Sequence, residues 1–90
     1  MTNDETRQMM SLMQEAAEKV SIIEERKFEG ADVELRFCYS DAAWYASCGG
    51  HTGCSRDNAK SAIMALVSFV SDTARASDVR YRHARYGSSP

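Results

Sequence analysis

The segment from Ser55 to Ala76 constrains the fold more than any other part of the chain. Its apolar residues recur at steps of three and four positions, the period of an α-helix with one broad apolar face. Ser55 stands where an N-cap is expected, and its hydroxyl can accept a hydrogen bond from the backbone N–H of Asp57 or Asn58. The apolar face must be covered, so the rest of the chain has to supply a layer that packs against it. The positions on this face are Ala59, Ala62, Ile63, Leu66, Val67, Phe69, Val70 and Ala74.

Length and composition indicate one small soluble domain. A chain of 90 residues buries a modest core that leaves little margin of stability, so a homodimer is compatible with the sequence. The 43% hydrophobic and 27% charged residues are typical of a globular protein. No apolar run approaches the roughly 20 residues that cross a bilayer, and the polar N-terminus does not resemble a signal peptide. We therefore expect no membrane association and a cytoplasmic location, where the three cysteines stay reduced.

A first helix is predicted from Asp4 to Lys27, where an apolar stripe again follows the helical period. We expect Gly30 to end it, because glycine readily adopts the left-handed conformation found at helix C-termini. Ser21 to Phe28 has a second interpretation, as a strand that follows a shorter helix. That choice separates a two-stranded from a three-stranded sheet. The stripe consists of Met9, Met13, Ala16, Val20 and Ile23.

Alternating apolar and polar residues predict a β-hairpin after the first helix. The first arm alternates from Val33 to Ser40, and the second runs from Trp44 to Cys48 with Tyr45 on the face opposite Trp44. Three glycines make the segment after the second arm a permissive loop. The predicted fold is α+β: an N-terminal helix, an antiparallel hairpin or three-stranded sheet, a second helix packed on the sheet, and a short tail. Residues 1–77 form the single domain, and residues 78–90 form a basic, partly flexible C-terminal tail.

The net charge of −2 conceals an asymmetry that points to binding surfaces. Residues 1–41 hold ten acidic and five basic side chains, whereas residues 42–90 hold three acidic and six basic ones. An acidic face suits a basic partner, and a run of Arg and Tyr suits phosphates, bases or a protein interface. The acidic candidates are Glu15, Glu18, Glu24, Glu25 and Glu29. The tail candidates are Arg80, Tyr81, Arg82, Arg85 and Tyr86.

One cluster contains the side chains of a chemical site: Cys48, His51 and Cys54, with Cys38 in the preceding arm. Three thiols and an imidazole are ligands that zinc accepts, but the spacing is not that of a common zinc ribbon or knuckle. Cys54 near the start of a helix, with His51 as a base, is the corresponding nucleophile hypothesis. No orienting acid or oxyanion donors accompany that pair, so we expect no catalytic residues, no metal site, no cofactor and no enzyme activity.

The opening of the second helix carries a family resemblance. Gly53-Cys54-Ser55-Arg56-Asp57-Asn58-Ala59-Lys60 is similar to the Gly-x-Ser-Lys-Lys-x-Ala-Lys signature of double-stranded RNA-binding domains. That resemblance implies a helix, three strands and a final helix, with Arg56 and Lys60 contacting phosphates. The chain departs from the pattern at Asp57, which replaces a lysine, and a carboxylate there opposes phosphate binding.

In size and slight acidity the chain also resembles small phage-encoded inhibitors of host defences, including anti-CRISPR proteins. That resemblance implies non-enzymatic, stoichiometric binding that blocks a nucleic-acid-handling host complex. Protein binding is therefore the leading functional prediction. The alternative is duplex RNA binding through the start of the second helix and the basic tail.

Overall fold

The computed structural model describes residues 3–82, with side chains as far as Arg75. It contains two helices and three strands in the order α1, β1, β2, β3, α2. The strands form one antiparallel sheet in the order β1-β2-β3. The predicted α+β fold is thus confirmed, and the sheet is the three-stranded version.

Helix α1 spans Asn3–Glu24 and ends earlier than the sequence predicted. Glu25, with a φ angle of 56°, takes the left-handed conformation that we had assigned to Gly30. Gly30 instead begins a single 3-10 turn, Gly30–Asp32, so its expected role at the helix end was wrong. The Ser21 hydroxyl donates to the Ala17 carbonyl and accepts from the backbone N–H of Phe28 at 2.8 Å, which ties the chain leaving the helix back against its last turns.

The strand interpretation of residues 21–28 is also wrong, because this segment supplies the end of α1 and an irregular connection. The third strand comes from the segment that we predicted as a glycine loop. Strand β1 spans Glu34–Cys38, β2 spans Ala43–Cys48 and β3 spans His51–Ser55. A two-residue turn joins β2 to β3 at Gly49 and Gly50, whose φ angles of 57° and 86° suit a tight hairpin.

Helix α2 spans Ala59–Arg82 and begins after the predicted N-cap. Ser55 belongs to β3, and Asn58 is the cap, since its side-chain oxygen accepts from the backbone N–H of Ser61 at 2.8 Å. The predicted contact between the Ser55 hydroxyl and the backbone N–H of Asp57 is present at 3.1 Å, but it shapes the turn before the helix. The helix continues into the segment predicted as a tail, so residues 78–82 are helical, and residues 83–90 lie outside the described residues.

Both helices share one core with the same face of the sheet. The centre of the α2 face, Ile63, Leu66 and Val70, is fully buried, as its periodicity predicted. The helices run parallel: Lys60 near the start of α2 donates to Gln8 near the start of α1, and Ile22 and Ala74 line one groove towards their ends. The remaining core is built from small or medium-sized side chains, namely Met9, Ala16, Ala17, Val20, Val33, Ala46, Cys48 and Ala62.

Gly53 sets the distance between α2 and the sheet. A Cβ atom on this residue would lie 2.7 Å from the Cα of Leu66 and 2.8 Å from the carbonyl carbon of Ala65. These are backbone atoms that cannot rotate away, so the helix crosses β3 directly over this glycine. The residue therefore serves close packing, a different role from the flexible loop in which the sequence placed it.

Candidate interaction surfaces

Three aromatic side chains form a connected group at the end of the β1–β2 hairpin. Phe37 lies opposite Trp44 in the strand register, and their ring centroids are 5.3 Å apart in an edge-to-face arrangement. The ring of Tyr39 meets Phe37 edge-to-face at 5.5 Å. Tyr39 is 92% exposed and Phe37 is 42% exposed, whereas Trp44 packs partly on the core. We call Phe37, Tyr39 and Trp44 the aromatic group.

The position of α2 explains why these rings reach the surface. The helix packs on β3 and β2, and β1 lies at the far side of the sheet. Exposure rises away from the core, from buried Val33 just before β1 through half-buried Leu35 to exposed Phe37 on the strand. The sequence predicted the alternation of this strand correctly, but periodicity alone does not say how far a neighbouring helix extends over it.

The five predicted acidic residues are all exposed, but they do not form one face. Glu15 and Glu18 lie one turn apart on α1; Glu15 borders a groove that Lys19 and Arg75 also line, and Glu18 accepts a hydrogen bond from Gln14 at 3.5 Å. Glu24 is on the opposite side of the helix, and Glu25 and Glu29 follow the helix end. Glu29 caps the 3-10 turn, and Lys27 lies 3.7 Å from it. Only Glu15 and Glu18 are thus a compact acidic pair.

Glu24 has a structural contact that the sequence did not reveal. Its Oε2 lies 3.0 Å from Nε2 of His51, the first residue of β3. The His51 ring also lies beside Phe69 of α2, with 6.0 Å between ring centroids. The imidazole therefore links the end of α1, the start of β3 and the middle of α2. Nothing in the local sequence pairs residues 24 and 51, since the contact depends on the β2–β3 turn.

The predicted basic residues are divided between α2 and its two ends. Arg56 is exposed in the turn before α2, and Lys60 lies in the first helical turn. Asp57 is exposed beside them, and Glu5 of α1 borders the same surface as Lys60. The start of α2 thus carries mixed charge. Of the tail candidates, Arg80, Tyr81 and Arg82 are backbone positions of α2, while Arg85 and Tyr86 lie outside the described residues.

The three thiols are separated by the sheet. Cys38 and Cys54 lie on the face that the helices leave open, whereas Cys48 is buried on the helix-packed face, where burial raises the pKa of its thiol. His51 faces the helix side, opposite Cys54. Cys54 is also a strand residue rather than a helix N-terminal one, so the geometry that the nucleophile hypothesis required is not formed. Within residues 3–82, no three His, Cys, Asp or Glu side chains are placed to hold a metal ion.

A hydrogen bond joins the β1–β2 turn to the open face of the sheet. The Tyr45 hydroxyl donates to Oδ2 of Asp41 at 2.7 Å, which lowers the pKa of Asp41 and raises the pKa of Tyr45. Weaker effects of Cys38 and Arg56 also lower the Asp41 pKa. The bond fixes a turn in which Ala42 has a left-handed φ angle of 52°. The aromatic group therefore projects from a braced hairpin end.

Comparisons with protein-family models, with curated proteins and with solved structures find no match for this chain. In the part of the chain from residue 3 to residue 82, neither helix is both long and apolar enough to cross a membrane.

Proposed function

We propose that this protein is a non-enzymatic binding module that attaches stoichiometrically to a protein partner and inhibits it. The observation that carries the proposal is the aromatic group at the end of the β1–β2 hairpin. Tyr39 and Phe37 expose large apolar rings, and Phe37 has edge-to-face contacts with both Tyr39 and Trp44. A ring contacted on two sides loses little conformational entropy on binding, and large aromatic side chains are enriched among the residues that dominate protein interfaces.

The exposure of Tyr39, which the fold itself does not require, supports this proposal. A tyrosine that is 92% exposed contributes little to folding, and its ring gains most by packing on another surface. Neither α1 nor α2 extends over this part of β1, so a partner can reach the group. Tyr, Trp and Phe are also the residues enriched at protein interfaces relative to other surfaces.

The acidic pair Glu15 and Glu18 supports the choice of a basic, nucleic-acid-handling partner. Two exposed carboxylates one turn apart present negative charge as successive phosphates do, and charge complementarity favours approach to a basic channel. In this proposal the aromatic group supplies affinity and the acidic pair supplies orientation. An inhibitor of the anti-CRISPR type acts in this way when it occupies the channel in place of nucleic acid.

The test begins with an affinity pull-down from host-cell lysate, followed by mass spectrometry and a binding assay with the purified partner. We expect Tyr39→Ala to weaken binding at least tenfold, the size of effect that interface hot spots produce, with an unchanged thermal melt. Phe69→Ala is the matched control, because Phe69 is a 52% exposed aromatic on α2, away from the hairpin end; its thermal melt shows the effect of the lost contact with His51. Equal binding by the wild type and Tyr39→Ala would remove the aromatic group from the proposal.

A charge-reversal pair tests the acidic contribution. Glu15→Lys with Glu18→Lys should slow association and make it less sensitive to salt, because long-range attraction is screened by ions. Glu24→Lys is a poor choice for this test, since it would also break the contact with His51. Arg82→Glu with Arg85→Glu tests the basic tail in the same assay. An effect of the tail variant alone would assign partner binding to the C-terminal segment.

Duplex RNA binding is the second candidate, favoured by one observation. The element order α1, β1, β2, β3, α2 is the order that the resemblance to double-stranded RNA-binding domains implies. Arg56 and Lys60 stand at the start of α2, as that resemblance requires, although Asp57 and Glu5 oppose phosphate there.

Fluorescence anisotropy with a labelled RNA duplex separates the two candidates. Binding to phosphates falls steeply as salt rises, because it releases counterions. We expect no tight binding at physiological salt. Tight binding that Arg56→Glu with Lys60→Glu abolishes, and that Arg75→Glu in the second half of the helix preserves, would replace our proposal with the RNA-binding function.

A further inference from the structure

Strand β1 is an edge strand with one unpaired side. Within residues 3–82 it pairs only with β2, and neither helix packs closely on it. An edge strand presents a row of unpaired N–H and C=O groups that can template the addition of another strand. Many proteins protect such an edge by covering it, whereas Glu34–Cys38 is left accessible here.

The charged residues on this edge, Glu34 and Arg36, are complementary to the same residues on a second copy of the strand. Glu34 and Arg36 are both exposed and lie two residues apart on the open face, across from Ser47 and Tyr45. Neither forms an ion pair with another described residue. When two copies of a strand pair antiparallel, one step forward along one strand is one step back along the other, so the numbers of opposite residues always add up to the same sum. A register that places Leu35 opposite itself therefore sets Glu34 of each copy opposite Arg36 of the other.

We propose that a second copy of this chain pairs along β1 in this register, so that two sheets join into one continuous six-stranded sheet. The contact is isologous, meaning that both copies use the same patch, as expected for a twofold dimer. Its polar side holds two Glu34–Arg36 pairs. Its apolar side places Leu35 against Leu35, and Val33 opposite Phe37 of the second copy.

The apolar side of the dimer contact gives a reason for the exposure of Leu35 and Phe37 in the single chain. Leu35 is half-buried and Phe37 is 42% exposed, because no helix covers the outer side of β1. In the dimer Phe37 packs beside Val33 of the second copy and is shielded. Tyr39 lies beyond the paired strands and stays exposed, whereas Phe37 is covered, so a dimer leaves Tyr39 as the ring that a protein partner can contact. The dimer itself depends on the edge and the charges of β1 and not on a protein partner.

The competing registers are less favourable. A shift of the second copy by two residues puts Arg36 opposite Arg36, and like charges directly opposite each other are destabilising. A shift by one residue places the apolar side chains of one copy on the polar face of the other. The charge pattern and the apolar pattern thus select the same register.

Charge reversal in matched variants tests both the dimer and its register, with analytical ultracentrifugation as the measurement. The wild type should dimerise in a concentration-dependent manner. Arg36→Glu places two glutamates opposite two glutamates, and Glu34→Arg places two arginines opposite two arginines, so each variant alone should raise the dimer dissociation constant about tenfold or more. An equimolar mixture of the two variants should recover a dimer, because every opposing pair is then of opposite charge. The double variant Glu34→Arg with Arg36→Glu should also dimerise.

These substitutions are at exposed positions, so circular dichroism melts should confirm that each variant stays folded. A wild type that sediments as a monomer at concentrations of hundreds of micromolar would overturn the proposal. A dimer whose dissociation constant is the same in all four proteins would also overturn it, because the interface would then lie elsewhere. A mixture of the wild type with Arg36→Glu that dimerises more strongly than either protein alone would identify the register with Arg36 opposite itself and contradict the one proposed, because only the mixed dimer then sets an arginine opposite a glutamate at this position.

Discussion

Gly53 is the residue on which the packing of the two layers depends. The backbone of α2 at Ala65 and Leu66 occupies the space that a Cβ atom would need. Side chains can rotate to relieve crowding, but a helix backbone moves only as a unit. The absence of a side chain at this position is therefore what allows Leu66 to reach full burial.

We predict that Gly53→Ala destabilises the protein by an amount at or above the upper end of the usual overpacking range of about 1–3 kcal/mol. Denaturant unfolding measures this free energy. Gly30→Ala is the control, because the tightest contact of its added Cβ would be with Oε1 of the flexible Gln14 side chain at 3.1 Å, while the Gln14 backbone stays at ordinary contact distance, 3.4 Å and beyond. This variant should change stability by less than about 1 kcal/mol. Equal effects of the two variants would show that α2 does not lie directly on β3.

The Asp41–Tyr45 hydrogen bond gives a prediction about proton binding. The pKa of Asp41 is lowered because its carboxylate accepts a hydrogen bond from the Tyr45 hydroxyl. The bond therefore stabilises the folded state fully at pH values above 3.8, the unfolded pKa. This stabilisation is lost as the pH falls through the lower pKa of the folded state. Tyr45→Phe should raise the pKa of Asp41 towards 3.8, measured by NMR titration of the carboxyl carbon. Ser47→Ala, on the same face of β2, should leave the Asp41 pKa unchanged. An unchanged pKa in Tyr45→Phe would mean that another group holds it down.

At the scale of elements, periodicity identified both helices and the first two strands but misplaced their ends. The end of α1 was predicted too late in the chain, because the residue that adopts the left-handed conformation is Glu25, whereas conformational preference favours a glycine at such a position. Strand β3 was missed because His51, Thr52 and Gly53 show no apolar alternation, although the Gly49-Gly50 pair is a signal of a two-residue hairpin turn. The register that joins Phe37 to Trp44 depends on turn geometry, so the aromatic group was not predictable from composition.

The start of α2 supplies the prediction at this scale. Asn58→Ala should cost about 1 kcal/mol, because the backbone N–H of Ser61 loses its acceptor, whereas Asn58→Asp should retain most of the stability. Ser55→Ala should cost less, since its hydroxyl accepts from the turn residue Asp57 outside the helix. Thermal melts monitored by circular dichroism compare the three variants. A larger loss in Ser55→Ala than in Asn58→Ala would restore Ser55 as the cap.

At the scale of the whole molecule, the sheet is a partition with one face packed by both helices and one face open. The alternation of the sequence correctly predicted which face of the sheet these side chains occupy: Cys38 and Phe37 lie on different faces, and Cys48 lies on the same face as Trp44. It could not place Cys54, because that required knowing that β3 exists and pairs with β2. The partition determines which side chains can act together, and it separates His51 from Cys54 although they are close in sequence.

The same partition leads to the prediction that the folded protein does not depend on zinc. A tetrahedral site needs four ligands around one point, whereas here Cys48 is buried under the helices while Cys38 and Cys54 are on the other face, one on each outer strand. Bringing them together would require the sheet to unpair. Elemental analysis of protein purified without chelator should find no stoichiometric zinc, and excess EDTA should leave the melting temperature unchanged, because a structural zinc site contributes directly to folding. Cys54→Ser serves as the control for an exposed thiol and should melt like the wild type. One equivalent of zinc per chain, lost in Cys48→Ser and in Cys54→Ser alike, would show that ligands from both faces converge and that the sheet is not the partition described.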